Sequence, residues 1–156
     1  MAPLLRTLVG ERNLVIRTGA TDAHIRLAAA EFESIMAKLV QNAVDATPVN
    51  GEITIETARL NPEDPSQQRM LEEYGLAMTT HIRIRLEDNG RGIPAEHRKS
   101  VFKPFFTTRP GSLGLGLSAV HGIVKRAAGT VTFESEIGKG ATFDVLVPES
   151  TCNANS

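Results

Sequence analysis

Residues 109–122 read RPGSLGLGLSAVHG, with glycines at positions 111, 114 and 116 followed by an apolar run of helical spacing. Glycines let the backbone approach a ligand closely, and the N–H groups at the start of a helix near Leu115 favour an anion. The stretch lacks the Lys that a P-loop carries after its last glycine, and its glycine spacing does not fit a dinucleotide-binding fold. Taken by itself, it is either a phosphate-binding loop or a mobile loop whose glycines serve chain flexibility.

A second segment, QNAVDA (41–46), places two polar residues inside an apolar helical pattern. Asn42 and Asp45 are both poor formers of a helix interior. With Lys38, which lies one turn before Asn42, they form one polar stripe. That stripe faces either a ligand or solvent, and a helical wheel does not separate the two.

A third segment, DNGRGIP (88–94), follows a strand. Asp88 at the strand end presents a carboxylate to whatever the loop borders, and Gly90 and Gly92 suit the positive-φ positions of a tight turn. Asp-Asn-Gly is also an ordinary turn sequence, so the segment alone indicates little.

The hydrophobic pattern predicts the order of the elements along the chain. We expect strands at 13–18, 24–27, 52–60 and 81–88, and an amphipathic helix at 29–47 that Pro48 ends. Residues 61–78 contain two prolines and several charges, and are predicted to be an exposed insertion with one helical turn. A short helix to about residue 102, a loop, a helix at 115–127 and a hairpin of strands at 129–135 and 141–148 complete the chain. This order predicts an α+β fold with a mixed, mostly antiparallel sheet and helices on one face.

Composition limits the classes of function. The chain has 156 residues and 41% hydrophobic content, which suits one domain, expected at 1–148, with a polar disordered tail at 149–156. A formal charge of -1 gives no reason to expect nucleic acid or an anionic membrane as partner. The single Cys152 excludes a disulfide framework, and no stretch is long enough to span a membrane or to act as a signal peptide. We therefore expect a cytoplasmic domain, although its parent protein could be membrane-anchored.

The three segments, taken in this order, resemble the motifs of a known family. QNAVDA resembles the N box, DNGRGIP the first glycine box, FKPFF (102–106) the F box, LGLGL (113–117) the second glycine box and GKGATF (138–143) the last glycine box of the catalytic ATP-binding domain of sensor histidine kinases. These kinases belong to an ATPase superfamily that includes DNA gyrase, Hsp90 and MutL. The resemblance covers roughly residues 5–148 and implies a two-layer α/β sandwich of the Bergerat type.

The resemblance also implies roles for single residues. Asn42 resembles the ligand of a Mg²⁺ ion between the nucleotide phosphates, and Asp88 resembles the acceptor for the exocyclic amine of adenine. Gly114, Gly116 and the amides through Leu117 resemble the phosphate-binding start of the lid helix, while Phe102, Phe105 and Phe106 resemble its hydrophobic anchor. The implied catalytic residues are Asn42 and Lys38. The implied nucleotide-binding set is Asn42, Asp45, Asp88, Gly90, Gly92, Ile93, Thr107, Thr108, Gly114, Leu115, Gly116, Leu117 and Thr142.

The implied reaction is transfer of the γ-phosphoryl group of ATP to a histidine, with Mg²⁺ as cofactor. In this family the acceptor lies on a separate helical hairpin domain of the same parent protein, and a response regulator receiver domain then takes the phosphoryl group. His24, His81, His97 and His121 lack the acceptor context. We therefore expect that this chain does not phosphorylate itself alone. The resemblance also implies that the dimer contacts lie in the separate hairpin domain, so we expect this chain to be a monomer.

Two positions depart from the family pattern. Lys38 stands where related proteins carry Asn or, in gyrase-like members, a catalytic Glu, and a protonated Lys does not activate water. It either reaches a phosphate or pairs with Asp45. Ala141 stands where many relatives carry Thr near the adenine, and Thr142 is expected to face the other way. If these departures mark lost catalysis, the alternative to a kinase is a degenerate nucleotide-binding or protein-interaction module. A separate alternative is a free-standing ATPase or an anti-sigma-type serine kinase of the same superfamily.

Overall fold

A computed structural model describes residues 2–20, 22–97, 99–103 and 116–150, and the strands in these ranges form one mixed sheet. The strands are β1 (Asn13–Thr18), β2 (Glu52–Leu60), β3 (His81–Asp88), β4 (Thr130–Glu136) and β5 (Gly140–Pro148). Their order in the sheet is β1-β2-β3-β5-β4, and only β1 and β2 are parallel among these neighbouring pairs. A parallel pair needs a crossover connection, which the long helix between β1 and β2 supplies. The mixed, mostly antiparallel sheet is therefore confirmed.

The helices of the described residues are α1 (Ala2–Val9), α2 (Ala29–Ala46), α3 (Pro65–Glu73) and α4 (Gly116–Arg126). The apolar residues of α2 recur at steps of three and four and are buried, from Ile35 to Ala43. Its start is stabilised by Glu31, whose carboxylate accepts the backbone N–H of Ala28 at 3.2 Å. Thr47 and Pro48 follow its last turn. No helix in the described ranges is both long and apolar enough to cross a membrane.

The main core lies between the sheet and the helices α1, α2 and α4. Side chains alternate along a strand, so Ile82, Ile84 and Leu86 of β3 face these helices, and Phe143 and Val145 of β5 continue the layer. Asp88 follows Leu86 at the same alternation and therefore also lies on the helix side of the sheet. This places one carboxylate at the end of an otherwise apolar layer.

The opposite face of the sheet is covered at one end. Leu60, His81 and Leu146 point to this face by strand alternation, yet all three are buried, and Leu71 of α3 is fully buried as well. None of the four belongs to the main core cluster. We infer that α3 packs over this end of the sheet as a small second core.

The prediction of one helical turn at 61–78 was therefore too short. Pro65 occupies the first helical position, where a missing N–H costs nothing, and Asp64 accepts the backbone N–H groups of Ser66 and Gln67 at 2.9 and 3.4 Å. The proline that suggested a break in the pattern thus begins a helix.

Three other local predictions need correction. Helix α1 was not predicted, although Leu5 and Val9 bury one of its faces. Residues 24–27 form no strand and contribute only an isolated bridge between Ile25 and Glu149. After Pro94 a 3₁₀ turn at Ala95–His97 replaces the predicted helix.

The beginning of the predicted tail is held in the fold. The backbone N–H of Glu149 donates to the carbonyl of Thr80 at 2.9 Å, and that of Ser150 donates to the carbonyl of His24 at 2.7 Å. Glu149 and Ser150 therefore belong to the fold, and residues 151–156 of the predicted tail lie outside the described residues.

Candidate functional site

The centre of the candidate site is the Asp88 carboxylate, which is only 4% exposed. Across the sheet it stands in one row with Ile53 of β2, Ala141 of β5 and Ser135 of β4. Burial raises the pKa of Asp88, and hydrogen bonds from the backbone N–H groups of Gly90 and Ala141 oppose that increase. The Gly90 bond measures 2.9 Å. The site therefore holds a desolvated carboxylate that accepts a hydrogen bond from the Gly90 N–H and lies beside the N–H of Ala141.

The glycine loop after Asp88 packs tightly against the end of α2. A Cβ atom at Gly90 would run into the carbonyl of Ala46, and the N–H of Arg91 donates to that same carbonyl at 3.1 Å. Gly92 has φ of 76° and lies against the carbonyl of Glu136, so a side chain there would be both strained and blocked. The loop conformation thus requires glycine at both positions, but the predicted positive φ is found only at Gly92, and Gly90 is required by its close approach to the Ala46 carbonyl.

The β4–β5 hairpin holds the other side of the loop through a serine that the sequence analysis missed. The N–H of Ile93 donates to Ser135 Oγ at 2.6 Å, and the Ser135 hydroxyl donates to the carbonyl of Gly140 at 2.8 Å. The N–H of Gly138 donates to the carbonyl of Arg91 at 2.9 Å. Strand alternation could have drawn attention to Ser135, because it lies two residues after the inward-facing Phe133 and points to the same face of β4. No sequence rule identifies its hydrogen-bond partners.

Helix α2 borders the site with its polar edge. Asn42, Lys38 and Asp45 are all half-buried, and Asn42 lies one turn before the Ala46 carbonyl that holds the glycine loop. Lys38 Nζ donates to Ser34 Oγ at 2.7 Å, and Asp45 Oδ1 accepts a hydrogen bond from the Gln41 amide at 3.1 Å. The polar stripe predicted from the sequence is therefore present, with the Lys38 ammonium directed toward the preceding turn.

Helix α4 packs against α2. An ion pair of 3.9 Å joins Arg126 at the end of α4 to Glu31 at the start of α2. This contact places the C-terminal end of α4 at the N-terminal end of α2, and the first turn of α4 lies about 15 Å of rise away along α4. Leu117, in the first turn of α4, is half-buried. The backbone N–H groups of this first turn have no partner within the helix itself and suit an anion.

The region around the predicted lid is described only in part. Phe102 packs in an aromatic cluster with His121 and Phe133, each at 5.6 Å between ring centroids, and with Phe143 at 6.4 Å. Its role in the described structure is packing. The predicted site residues Thr107, Thr108, Gly114 and Leu115, and the anchor residues Phe105 and Phe106, lie outside the described residues.

The structure does not bring Thr142 to the site. Ala141 is paired with Asp88, whereas Thr142 is paired with Glu87. Since neighbouring residues of a strand point to opposite faces, the Thr142 hydroxyl lies on the far side of the sheet from the Asp88 carboxylate. The side chain next to Asp88 on β5 is the methyl group of Ala141, which carries no hydroxyl.

The arrangement combines two recognition elements. A buried carboxylate with a close glycine loop suits a flat ring that carries an amine donor. An amide side chain beside a helix N-terminus suits phosphate groups with a hard cation. No group of three or more His, Cys, Asp or Glu side chains in the described part of the chain could hold a metal ion.

Comparison with known proteins gives a family match over most of the chain. The model of the family described as "Histidine kinase-, DNA gyrase B-, and HSP90-like ATPase" matches residues 28–151. Sensor kinase CckA of Brucella abortus is 36% identical over 148 residues, which are 93% of this chain and 15% of that protein. Sporulation kinase C of Bacillus subtilis is 30% identical over 118 residues, which are 76% of this chain and 23% of that protein. The chain thus spans less than a quarter of the length of either relative.

Solved structures give the same fold. The nucleotide-free catalytic domain of histidine kinase ThkA superposes with a TM-score of 0.70 at 26% identity, over 95% of this chain and 84% of that domain. Full-length ShkA, solved in complex with AMPPNP, superposes with a TM-score of 0.73 at 20% identity, over 99% of this chain and 31% of that protein. The predicted α+β sandwich is confirmed by these similarities.

Proposed function

Because the chain belongs to the histidine kinase-, DNA gyrase B- and HSP90-like ATPase family, we propose that it binds Mg-ATP and serves as the catalytic domain of a two-component sensor kinase. The observation that carries the proposal is the buried Asp88 carboxylate, held by a glycine loop at the end of the helix that bears Asn42. We propose the cytoplasm as its place of action, since ATP and the receiver domains of response regulators are found there.

Adenine recognition is assigned to the Asp88 end of the site. The carboxylate accepts a hydrogen bond from the exocyclic amine, and guanine, which presents a carbonyl at that place, leaves the buried carboxylate without its partner. Gly90, Gly92 and Ile93 form the adjoining wall, where small residues let the ring approach the backbone. The preference for adenine over guanine therefore depends on one buried acceptor.

Phosphate binding is assigned to the facing ends of α2 and α4. The first-turn amides of Gly116 and Leu117 point toward the phosphates, and the Lys38 ammonium supplies a positive charge on the α2 side. The Asn42 carbonyl oxygen suits Mg²⁺, which when bound would neutralise charge on the phosphate oxygens during transfer. Asp45, Thr107, Thr108, Gly114 and Leu115 complete the proposed nucleotide-binding set.

The reaction needs an acceptor from another domain. In the transfer, an imidazole nitrogen of the acceptor bonds to the γ-phosphorus, the bond to the bridging oxygen breaks, and ADP leaves. His81 of this chain is completely buried, and His121 packs against Phe102, so neither presents a nitrogen to the phosphates. We propose that the acceptor is a histidine on a separate domain of the parent protein, which then passes the phosphoryl group to a response regulator.

Titration of ATP by calorimetry, with and without Mg²⁺, tests the proposal. We expect ATP binding by the unaltered chain and a gain in affinity on adding Mg²⁺. Asn42→Ala should abolish most of that gain, whereas Asn50→Ala, an exposed amide in the turn after α2, should leave it intact. Undetectable binding at millimolar ATP would disprove nucleotide binding by this chain.

A phosphotransfer assay separates the kinase from its alternatives. The chain is mixed with [γ-³²P]ATP and a separately purified phosphoacceptor domain of a sensor kinase, and acid-labile phosphohistidine is measured. We expect labelling of the acceptor and none of this chain alone. ATP binding without phosphohistidine would support the degenerate module. Release of inorganic phosphate without an acceptor would support a free-standing ATPase, for which Lys38 offers no carboxylate base.

A further inference from the structure

One peptide unit, which joins Gly140 to Ala141, lies between the side chains of Ser135 and Asp88. Its carbonyl accepts the Ser135 hydroxyl proton at 2.8 Å. Its N–H belongs to Ala141, which is paired with Asp88 between β3 and β5 and lowers the pKa of the Asp88 carboxyl. In a trans peptide these two groups point in opposite directions within one rigid plane, and the described residues contain no cis peptide bond. The orientation of this single plane therefore links the Ser135 hydroxyl to the Asp88 carboxylate.

The same serine also holds the far end of the glycine loop. Its oxygen accepts the N–H of Ile93 at 2.6 Å, while Gly90 at the near end of the loop donates to Asp88 at 2.9 Å. Hydrogen bonds thus run from Ile93 through Ser135 to the carbonyl of the Gly140–Ala141 peptide, and the N–H of that peptide belongs to the residue paired with Asp88, which in turn accepts the N–H of Gly90. Chains of this kind polarise each other, so loss of one member weakens the rest.

Within the cross-strand row that contains Asp88, Ser135 is the residue that can fix the Gly140–Ala141 peptide with its side chain. The row reads Asp88, Ala141, Ser135, and the serine carries its only hydroxyl. Ser135 is 8% exposed, so its polar atom must be satisfied within the protein. It is satisfied by bonds that stabilise the two backbone segments beside Asp88.

We propose that Ser135 is a positioning residue for adenine recognition, because its hydroxyl fixes the Gly140–Ala141 peptide that holds the Asp88 carboxylate in place. This inference rests on the proposed function, in which Asp88 accepts the adenine amine. Ser135 itself has no contact with the nucleotide in this assignment. Ser135 therefore affects nucleotide binding through the position of the Asp88 carboxylate, and this effect is specific to recognition of the base.

The electrostatics of Asp88 support this role. Burial raises the pKa of Asp88, and the Ala141 N–H is one of two backbone donors that lower it. Glu87, next to it on β3, raises it further. Other charged groups on the surrounding elements are Lys38 and Asp45 on α2, Arg91 on the glycine loop, and Glu136 and Lys139 on the hairpin. A less well-oriented Ala141 N–H would therefore raise the pKa of Asp88.

The first test compares ATP and GTP binding by the unaltered chain and three variants. In Ser135→Ala we expect the Kd for ATP to rise about fivefold or more, with little change for GTP, so that discrimination falls. Ser135→Thr retains the hydroxyl and should retain most of the discrimination. Thr132→Ala removes a hydroxyl from the same strand on the opposite face and should change neither Kd. An equal loss for ATP and GTP, or no loss, would overturn the proposal.

The second test does not depend on nucleotide binding. The Asp88 carboxyl carbon is followed by ¹³C NMR over a pH titration and identified by its absence in Asp88→Asn. We expect its midpoint in Ser135→Ala to lie at least about 0.5 pH unit higher than in the unaltered chain. If the chain binds no ATP but the Asp88 midpoint is higher in Ser135→Ala, the proposed function is wrong and the link between Ser135 and Asp88 is still supported. An unchanged midpoint would disprove the link. If Ser135→Ala does not fold, Ser135→Cys, which has a weaker donor of similar shape, replaces it in both tests.

Discussion

The backbone N–H of Arg91 donates to the carbonyl of Ala46 at 3.1 Å, which joins the glycine loop to the last turn of α2. Asn42 lies one turn earlier on that helix, and Asp88 lies just before the loop. The two proposed recognition elements, one for the base and one for the phosphates, are therefore connected by a single backbone contact. Distortion of this contact should affect both.

Gly90→Ala should distort the contact between the Arg91 N–H and the Ala46 carbonyl. The new Cβ would meet the Ala46 carbonyl, a backbone atom that moves only with the end of α2. We expect the free energy of unfolding to fall by about 1–3 kcal/mol, measured by urea denaturation, together with weaker ATP binding by calorimetry.

Gly122→Ala is the matched control for that change. Gly122 lies inside α4, and the nearest atom to its new Cβ would be the flexible Arg126 Nη1 at 3.6 Å. Alanine favours the helix, so we expect a gain of about 0.5–1 kcal/mol with no effect on ATP binding. A similar loss of stability in both variants would contradict the contact between Gly90 and Ala46.

Local patterns were sufficient to predict much of the fold. The apolar spacing from Ile35 to Ala43 and the stop at Pro48 predicted α2 to within one residue, and alternation predicted β2 and β3 with their observed bounds. Asp88 and the two glycines of its loop could be chosen as candidates because a strand end and a glycine-rich turn are visible in sequence, although only Gly92 has the predicted positive φ. These features depend on residues close together in the chain.

Features that depend on distant contacts were missed. Ser135 matters because of Gly140 and Ile93, and the latter is 42 residues away. Helix α3 depends on the burial of Leu71 against a sheet face, and no local pattern in the sequence indicates that this face is covered. The family resemblance placed Ala141 near the adenine, and strand alternation predicted that Thr142 faces the other way. That Ala141 is paired with Asp88 required the paired strands.

Phe102→Ala should leave a cavity in the aromatic cluster. Phe102 contacts the rings of His121, Phe133 and Phe143, and it is partly exposed, so we expect a loss of about 2–3 kcal/mol in the free energy of unfolding. Phe102→Leu fills most of the space and should lose less than half as much. Equal losses for Leu and Ala would indicate that ring contacts, and not volume, stabilise this position.

Leu71→Ala tests the small second core beneath α3. Leu71 is fully buried, and we expect a loss of about 2–4 kcal/mol by urea denaturation. Because α3 lies on the face away from Asp88 and α2, ATP affinity at a temperature where the variant is folded should be unchanged. Met78→Ala, at a position 43% exposed, should cost far less. A loss below 1 kcal/mol for Leu71→Ala would contradict the covered face.

Lys38→Met tests the positive charge assigned to the phosphates. The Lys38 ammonium donates to Ser34 in the structure, and long side chains on a helix move readily between such partners. If it reaches a phosphate, the Kd for ATP in the variant should rise about threefold to tenfold at low salt, and the difference should shrink in 0.5 M NaCl as screening increases. A salt-independent or absent effect would show that Lys38 serves α2 alone.

Asp88→Asn should show a stability difference that changes with pH. Burial raises the pKa of Asp88 above its unfolded value of about 3.9. At pH values between the unfolded and the folded pKa, Asp88 is therefore more protonated in the folded protein than in the unfolded chain. The stability that protonated Asp88 contributes is present below the unfolded pKa and is lost as pH rises through the folded pKa. The amide does not titrate. The free energy of unfolding of Asp88→Asn, relative to the unaltered chain, should therefore rise from pH 4 to pH 7 in urea denaturation, while ATP binding is lost.

Glu149→Gln provides the control of opposite sign. Arg59 donates two hydrogen bonds to Glu149, at 2.9 and 2.8 Å, and holds the pKa of that carboxyl below its ordinary value. Its contribution to stability is present above the unfolded pKa and is lost as pH falls through the folded pKa. The stability of Glu149→Gln relative to the unaltered chain should therefore fall from pH 3 to pH 5. The stability of Asp88→Asn relative to the unaltered chain could instead stay flat or fall with pH, while Glu149→Gln shows its expected fall. That result would show that burial does not raise the pKa of Asp88 in the folded protein. Adenine recognition would then need another acceptor.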